Sequence, residues 1–173
     1  MTTIQSPVPT PGPGVSAPEI TRDIYGMPAF ATLLAADVNA TVSWYTDGLG
    51  FIKLFVIPGA DGTPALVHLR RWQFPDLLVR PSADPVTPGS GLSLGFAAVY
   101  DEIEQLADRA RSHGAGHVAG PVDSTWNTHD LTTTDPDGHV VIFTAGRPPA
   151  HSDASFNEQM GKWNSEQGLS NDV

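Results

Sequence analysis

Histidines and carboxylates are the side chains of this chain whose types could ligate a metal or transfer a proton. His113 and His117 have the spacing of two metal ligands on one helix face, but the Gly-Ala-Gly segment between them predicts that the helix ends there. His129 and Asp130 are neighbours on a predicted strand, so their side chains point to opposite faces and cannot form an acid–base pair. These pairs therefore predict neither a catalytic residue nor a metal centre.

No nucleophile is predicted either. The chain has no cysteine, which excludes thiolate chemistry, disulfides and iron–sulfur clusters. Ser93 stands in a Gly-Leu-Ser-Leu-Gly segment, which matches the written form of a hydrolase nucleophile elbow. An elbow needs a strand before the serine and a helix after it, whereas here a Pro-Gly-Ser loop comes before and an apolar strand follows. The segment therefore predicts a strand without a catalytic serine.

Charge and composition limit the partners of the chain. Its 173 residues carry 9 Lys and Arg against 19 Asp and Glu, a net charge of −10 that repels nucleic acids and anionic membranes. The same charge would attract a cationic small molecule, although acidity is also common as an aid to solubility. The sequence shows neither an apolar stretch of about 20 residues nor the pattern of a signal peptide, so we expect a cytoplasmic protein without a membrane partner.

The two ends of the chain differ in composition from the middle. Residues 1–26 contain five prolines among Thr, Ser and Gly, and we expect a flexible tail there. Residues 147–173 are mostly polar, and Phe156, Met160 and Trp163 have a spacing that fits one face of a short amphipathic helix. Either this helix docks on the domain or the end is frayed.

An internal repeat with a period of 64 residues organises the middle of the chain. The positions that match at this shift, without a gap, are Asp37 with Asp101, Gly50 with Gly114, and Leu78 with Ile142. Each unit reads as an apolar strand, an aspartate that caps an amphipathic helix, a glycine that ends it, and three further strands. We predict two βαβββ modules, at about residues 27–82 and 91–146.

Two segments carry a family resemblance in addition to the repeat. They are Ser-Trp-Tyr-Thr-Asp-Gly-Leu-Gly-Phe at residues 43–51 and Asp-Pro-Asp-Gly-His-Val-Val at residues 135–141. Together with the tandem modules they resemble the vicinal oxygen chelate superfamily of glyoxalases, bleomycin-resistance proteins and extradiol dioxygenases, over about residues 27–146. The resemblance implies an α+β fold in which the two modules form an open cup-shaped sheet with the helices on the outside.

Many members of this family hold a divalent metal in the cup, with ligands from the first and last strands of each module. The resemblance places these positions on Phe30 and Leu94 or Ala31 and Gly95 in the first strands, and on Leu78 or Val79 and Ile142 or Phe143 in the last strands. None of these residues can supply an oxygen or imidazole donor from its side chain. We therefore expect no metal and no other cofactor, which argues against glyoxalase, isomerase or dioxygenase chemistry.

The bleomycin-resistance-like branch is the part of the family that the chain resembles most, through Trp-Asn-Thr-His-Asp-Leu-Thr-Thr-Thr-Asp at residues 126–135. This resemblance implies an acidic homodimer that holds a cationic, planar antibiotic without turnover. We predict a metal-free small-molecule binding protein that sequesters a drug. The alternatives are a glyoxalase- or dioxygenase-like metal-dependent lyase or oxygenase, and a protein that acts through protein contacts alone.

The predicted binding residues follow from the resemblance and from strand alternation. Phe30, Thr32 and Leu34 are predicted to share one strand face with Leu94, Phe96 and Ala98 of the second module. The full predicted site is Phe30, Thr32, Leu34, Phe55, His68, Phe96, Trp126 and His129. Trp126 is expected at the rim, where its ring can stack on a planar ligand. His68 is expected to be either a hydrogen-bond partner of the ligand or a satisfied surface histidine, and one of His129 and Asp130 to face the cup.

The turn around Trp72 and Phe74 carries more apolar surface than a solvated turn needs. Exposed aromatic clusters usually mark contacts. We expect either a tail of the chain or a second subunit to cover this turn.

Overall fold

The computed structural model describes residues 6–27, 29–87 and 91–168, and in them eight strands form two sheets of four. The strands are β1 (Phe30–Ala35), β2 (Ile52–Pro58), β3 (Pro64–Arg70), β4 (Asp76–Pro81), β5 (Ser93–Ala98), β6 (His117–Asp123), β7 (Thr128–Thr134) and β8 (Val140–Gly146). The helices are α1 (Val38–Ser43), which continues as a π-helical turn over Trp44–Gly48, then α2 (Ile103–His113) and α3 (Ala154–Glu166). Short 3-10 turns cover Tyr100–Glu102 and Pro149–His151.

Each sheet is built from one module. The strand order is β1-β4-β3-β2 in sheet 1 and β5-β8-β7-β6 in sheet 2. In both sheets the first strand of the module runs parallel to its last strand, and the other neighbours are antiparallel. The predicted α+β fold with tandem βαβββ modules is therefore confirmed.

The start of the first helix follows the predicted signal and the start of the second does not. Asp37 accepts hydrogen bonds at Oδ1 from the backbone N–H groups of Asn39 and Ala40, at 2.9 and 3.1 Å, and so caps α1. Asp101 instead lies inside the 3-10 turn before α2, and α2 has no side-chain cap. Gly50 and Gly114, in contrast, both adopt the left-handed conformation expected after a helix, with φ of 74° and 75°.

The two faces of each sheet differ in burial. In β1, Leu33 and Ala35 are buried and pack with α1 in the core, whereas Phe30, Thr32 and Leu34 on the other side are exposed. We call the side away from the core helices the open face. Because neighbouring strands align their side chains in pairs, the open face of sheet 1 also carries Leu78 of β4, His68 of β3 and Phe55 of β2.

The prediction that Phe96 shares a sheet face with Phe30, Thr32 and Leu34 is wrong. Phe96 pairs with Phe143 and lies on the core side of sheet 2, with its ring 5.4 Å from Phe51. The open-face residues of β5 are Ser93, Gly95 and Ala97. Leu78 and Ile142 keep the 64-residue shift, but their partners Thr32 and Gly95 are only 63 apart. The second module has one extra residue between its first strand and its helix, at the 3-10 turn, and one residue reverses the face of a strand.

One hydrophobic core joins the two modules on the sides that carry the helices. The turn at residues 135–138 is part of this junction, because Asp137 accepts hydrogen bonds from Thr41 Oγ1 at 2.6 Å and from the N–H of Ala36 at 2.8 Å. Asp135 accepts one from the Tyr45 hydroxyl at 3.1 Å. Burial raises the pKa of both of these side chains above their ordinary values. The conspicuous segments at 43–51 and 135–141 therefore hold the two modules together.

The N-terminal segment has neither helix nor strand in residues 6–27, yet it packs on both modules. Ala17 donates its N–H to Glu102 of the second module at 3.0 Å, and Thr21 donates its N–H to the Trp72 carbonyl of the first at 3.3 Å. The Tyr25 ring lies 5.7 Å from Phe74 in an edge-on contact. This segment, within a single chain, packs on the aromatic turn; Trp72 is buried, whereas Phe74 remains 42% exposed.

The C-terminal segment forms helix α3, which begins after a capping residue, Asp153. Asn127 in the β6–β7 turn anchors it, donating from Nδ2 to the Asp153 carbonyl at 3.0 Å and accepting at Oδ1 from the Asp153 N–H at 2.6 Å. Met160 and Trp163 remain exposed. Among the helices in the described part of the chain, none has the length and apolarity that crossing a membrane requires.

Candidate functional site

The open face of sheet 1 exposes an unusual amount of apolar surface. Phe30 is 53% exposed, Leu34 46% and Phe55 42%, although all three lie on strands. The ring of Phe55 contacts His68 edge-on at 5.1 Å. Phe30 and Leu34 lie on one edge strand of the sheet and Phe55 on the other, and exposed apolar side chains on one sheet face indicate a surface that binds something.

A cluster of buried charges lies at one end of this open face. Asp76 and Arg70 form a two-point ion pair, with 2.7 Å from Nε to Oδ1 and 2.9 Å from Nη2 to Oδ2. His68 places Nε2 3.3 Å from the same carboxylate, but neither of its ring nitrogens has a well-formed hydrogen-bond partner among the described residues. His68 is therefore not a surface histidine, since it is buried beside an ion pair.

The N-terminal segment closes over this charged cluster. Arg70 donates from Nη1 to the carbonyls of Thr21 and Asp23, at 3.2 and 2.7 Å. The ring of Tyr25 stacks 4.3 Å from the Arg70 guanidinium carbon. Burial, reinforced by the Asp76 carboxylate, raises the pKa of the Tyr25 hydroxyl. The arrangement gives acceptors to four of the five guanidinium N–H groups, which is typical of a structural ion pair.

The open face of sheet 2 is more polar. Asp130 pairs with Thr144 and lies on this face, beside Thr132. Its Oδ1 is buried and has no hydrogen-bond partner among the described residues. A carboxylate oxygen without a partner is costly to bury, so it marks a position where a donor is expected. The sequence predicts that one of the neighbours His129 and Asp130 faces the cup, and His129 is included in the predicted site. Asp130 is the one on the open face, and only its pairing with Thr144 shows this, because the pairing depends on the register of the two strands.

His129, the predicted member of that pair, lies on the side of the sheet that faces the helices. Its Nδ1 is 2.6 Å from Asp123 Oδ1, its Nε2 is 3.6 Å from Glu104, and its ring contacts Tyr100 at 5.4 Å. The expectation that this residue faces the cup is wrong, because Asp130 lies on the open face and neighbouring residues of a strand point to opposite sides. Both of its nitrogens face carboxylates of its own chain.

Trp126 stands at the tip of the β6–β7 turn and is 69% exposed. Its one aromatic contact in the described residues is an edge-on contact with Phe156 of α3 at 6.4 Å. The following residue, Asn127, has a φ of 57°, which an asparagine tolerates better than most residues. The ring is therefore free to stack on a ligand or on another surface.

A cleft of about 440 Å³ lies along the first strand of each module. Thr32 and Leu34 line it from β1, Leu94 from β5 and Val140 from β8, while Asp84 and His139 add polar groups. His139 is held there by a 3.0 Å hydrogen bond between Nε2 and the Leu34 carbonyl. The structure thus places Thr32 and Leu34 in one cleft and Phe30, Phe55 and His68 on the same sheet face. It separates Phe96, His129 and Trp126 from them.

The residues at the expected metal positions do not fit a metal. Of the expected positions, the open faces carry Phe30 and Leu78 in sheet 1 and Gly95 and Ile142 in sheet 2. None of these four residues has a side-chain donor atom for a metal. Within the described ranges, there is no group of three or more His, Asp or Glu arranged to hold a metal ion. We derive no chemistry through a metal.

Comparison with known proteins places this geometry among solved structures. No curated protein sequence matches the chain. TnmS3, an antibiotic binding protein from Streptomyces sp. CB03234, is 21% identical, with 71% of this chain and 97% of that chain covered and a TM-score of 0.55. An integron cassette protein from the mobile metagenome of the Halifax Harbour sewage outfall is 24% identical, with 70% and 99% covered and a TM-score of 0.55.

The fosfomycin resistance protein FosX from Listeria monocytogenes, solved with Mn(II) and sulfate, is 14% identical, with 72% of this chain and 94% of that chain covered and a TM-score of 0.56. At such identities these likenesses show the fold alone. A family model matches residues 28–143, more than half of the chain. The chain therefore belongs to the Glyoxalase/Bleomycin resistance protein/Dioxygenase superfamily, as its sequence segments and tandem modules predict.

Proposed function

We propose that this protein binds and sequesters an organic small molecule of the antibiotic type, without a metal and without turnover. The observation that carries the proposal is the open face of sheet 1, where Phe30, Leu34 and Phe55 are each more than two-fifths exposed. The described residues contain no group of three or more His, Asp or Glu that could hold a metal ion there. An apolar, aromatic surface with a few polar groups suits a drug-sized ligand. The likeness in fold to an antibiotic binding protein supports the same direction.

We further propose that a second copy of the chain completes the site. Within one chain the modules meet through their helix sides, where the π-helical turn over Trp44–Gly48 packs against α2. Apart from the charged cluster under the N-terminal segment, this leaves the open faces uncovered, so a cup between two open faces needs another chain. Trp72 of the aromatic turn does not argue for a dimer, because it is buried with the N-terminal segment of its own chain bonded to its carbonyl.

The ligand is proposed to be cationic, because Asp130 supplies the charge that such a ligand needs. Its unpartnered Oδ1 lies on the open face of sheet 2. A protonated amine would give that oxygen a charge-assisted hydrogen bond, which is stronger than a neutral one. The net charge of −10 adds a long-range attraction for cations.

Thermal-shift screening followed by calorimetry tests the binding. The panel contains bleomycin and other planar cationic antibiotics, with the anion fosfomycin as the contrasting ligand. A ligand at about 100 times its Kd stabilises the folded state by roughly 2.7 kcal/mol, which is readily detected. The variants Leu34→Ala and Asp130→Asn should each weaken binding about tenfold or more, whereas Asp108→Asn on α2 should leave it unchanged. A metal content near one per chain after purification without a tag would overturn the proposal.

Light scattering tests the dimer, with about twice the chain mass expected. Phe55→Lys places a charge on the open face and should give a monomer. Val56→Lys places the same charge on the opposite face of the same strand and should leave the mass unchanged. A monomeric native protein at micromolar concentration contradicts the two-chain site.

A further inference from the structure

A second pocket, of about 420 Å³, lies between α2, the turn at Trp72 and the N-terminal segment. Its apolar walls include Trp72, Val99, Ile103 and Leu106, and Pro18 and Ile20 border it. It shares no lining residue with the cleft along β1 and β5. It is therefore separate from the site of the proposed function and does not depend on it.

A buried arginine lies in the wall of this pocket. Arg71 is 8% exposed, and among the described residues its guanidinium donates one hydrogen bond, from Nη1 to the Leu49 carbonyl at 3.2 Å. Its Nε is buried and has no partner among the described residues. The guanidinium carbon lies 5.2 Å from the centre of the Trp72 ring and 4.8 Å from that of Phe143. No carboxylate within the described ranges forms an ion pair with it.

A second guanidinium adds positive charge to the same pocket. Arg109 of α2 donates from Nε to the Gly48 carbonyl at 3.1 Å. It packs against Gly50, where a Cβ atom would overlap the guanidinium group. The other donors of Arg109 have no partner in the described part of the chain. Two arginines thus line one pocket, and most of their side-chain N–H groups have no acceptor in the described part of the chain.

The acidic residues nearby compensate these charges only in part. Glu102 accepts the N–H of Ala17 at 3.0 Å, and Asp108 forms an ion pair with Arg111 at 3.0 Å. Burial and, to a smaller extent, the charge of Arg109 lower the pKa of the Arg71 guanidinium to about 10, against a smaller opposing effect of Glu102. An incompletely neutralised buried cation is stabilised when an anion binds beside it.

We propose that this pocket is a binding site for a monoanionic carboxylate that carries an aromatic or branched apolar body. A carboxylate matches the planar fork of a guanidinium, and Trp72, Ile103 and Leu106 suit the apolar part. Glu102 borders the pocket and would repel the second charge of a dianion such as phosphate. The guanidinium groups of Arg71 and Arg109 carry two positive charges, and Glu102 is the one bordering carboxylate that forms no ion pair among the described residues. One further negative charge, from the ligand, would therefore balance them.

Calorimetry and amide NMR on the full chain test the proposal with benzoate, indole-3-acetate and the branched 4-methylpentanoate as probes. At least one should bind saturably, with shifts centred on residues 71–72 and 99–109, and at least tenfold more tightly than its neutral amide. Inorganic phosphate should bind more weakly than the best carboxylate. Arg109→Gln should weaken binding about tenfold, whereas Arg111→Gln on the same helix should not change it.

Arg71→Met is expected to abolish binding, and the circular dichroism and Tm of this variant show whether it folds. If Arg71→Met does not fold, Arg109→Gln still tests the proposal, because Arg109 is at an exposed helix position. The proposal is overturned when none of the three carboxylates binds, or when amide and carboxylate bind equally. It is also overturned by shifts that fall on Thr32 and Leu34 instead, or by equal losses in the Arg109 and Arg111 variants.

Discussion

Removing one partner of the buried Arg70–Asp76 pair should destabilise the fold strongly. Their side chains are 1% and 0% exposed and meet at 2.7 Å, so Arg70→Met leaves the Asp76 carboxylate buried without its counter-charge. Breaking a buried pair in this way costs about 3–5 kcal/mol. For a chain of this size, each kcal/mol shifts Tm by about 2–4 °C, so the expected decrease is about 6–20 °C. The variant also releases the carbonyls of Thr21 and Asp23, which should expose the N-terminal segment to proteolysis.

A double-mutant cycle separates the pair from its surroundings. Arg70→Met combined with Asp76→Leu should recover most of the loss, because an apolar replacement of both partners is often neutral. The measurements are urea unfolding and calorimetry on the native chain, both single variants and the double variant. Arg111→Met, which breaks an exposed ion pair with Asp108, is the control and should cost less than about 1 kcal/mol. Additive losses in the double variant, or a single loss no larger than that of the control, would refute the structural role assigned to the cluster.

Four further results are expected. Gly116→Ala should lower the free energy of unfolding in urea by about 1–3 kcal/mol, because a Cβ there would lie 2.7 Å from Trp44 and clash with the backbone. Gly161→Ala should raise it by about 0.5–1 kcal/mol, because a Cβ at this position of helix α3 meets nothing within 4 Å. Trp126→Ala should change Tm by only a few degrees, since the ring is 69% exposed, and calorimetry with any identified ligand should show an affinity about tenfold lower if the ring stacks on it. Burial raises the folded-state pKa of Asp135, so the contribution of this carboxyl to stability is greatest at acid pH and is lost as pH rises through that pKa. The difference in Tm between the native chain and Asp135→Asn should therefore decrease from pH 4 to pH 7.

Much of the architecture could be predicted from local signals in the sequence. Asp37 caps a helix because its carboxylate reaches two N–H groups within three residues, and Gly50 and Gly114 end helices because they tolerate positive φ. The repeat of these signals, with Asp-Pro-Asp-Gly in the closing turn, predicts both modules and their family. Such signals depend on the conformation of a few consecutive residues, so they can be read without the fold.

The register of the second module required the tertiary structure. One extra residue in the 3-10 turn over Tyr100–Glu102 turns Phe96 toward the core and leaves Gly95 on the open face. Turning His129 inward likewise leaves Asp130 on the open face. Strand alternation has a period of two, so an error of one residue in a loop reverses every assignment in the strand that depends on it.

Burial and partnership of the charged residues were also decided by tertiary contacts alone. Arg70 is buried because the N-terminal segment, more than 40 residues away in the chain, lies over it. Arg71 is buried between Trp72 and Phe143, residues of different modules. Sequence shows that such residues can ionise or donate hydrogen bonds, but their environment depends on contacts between distant segments, and these exist only after the two modules and the N-terminal segment have packed together.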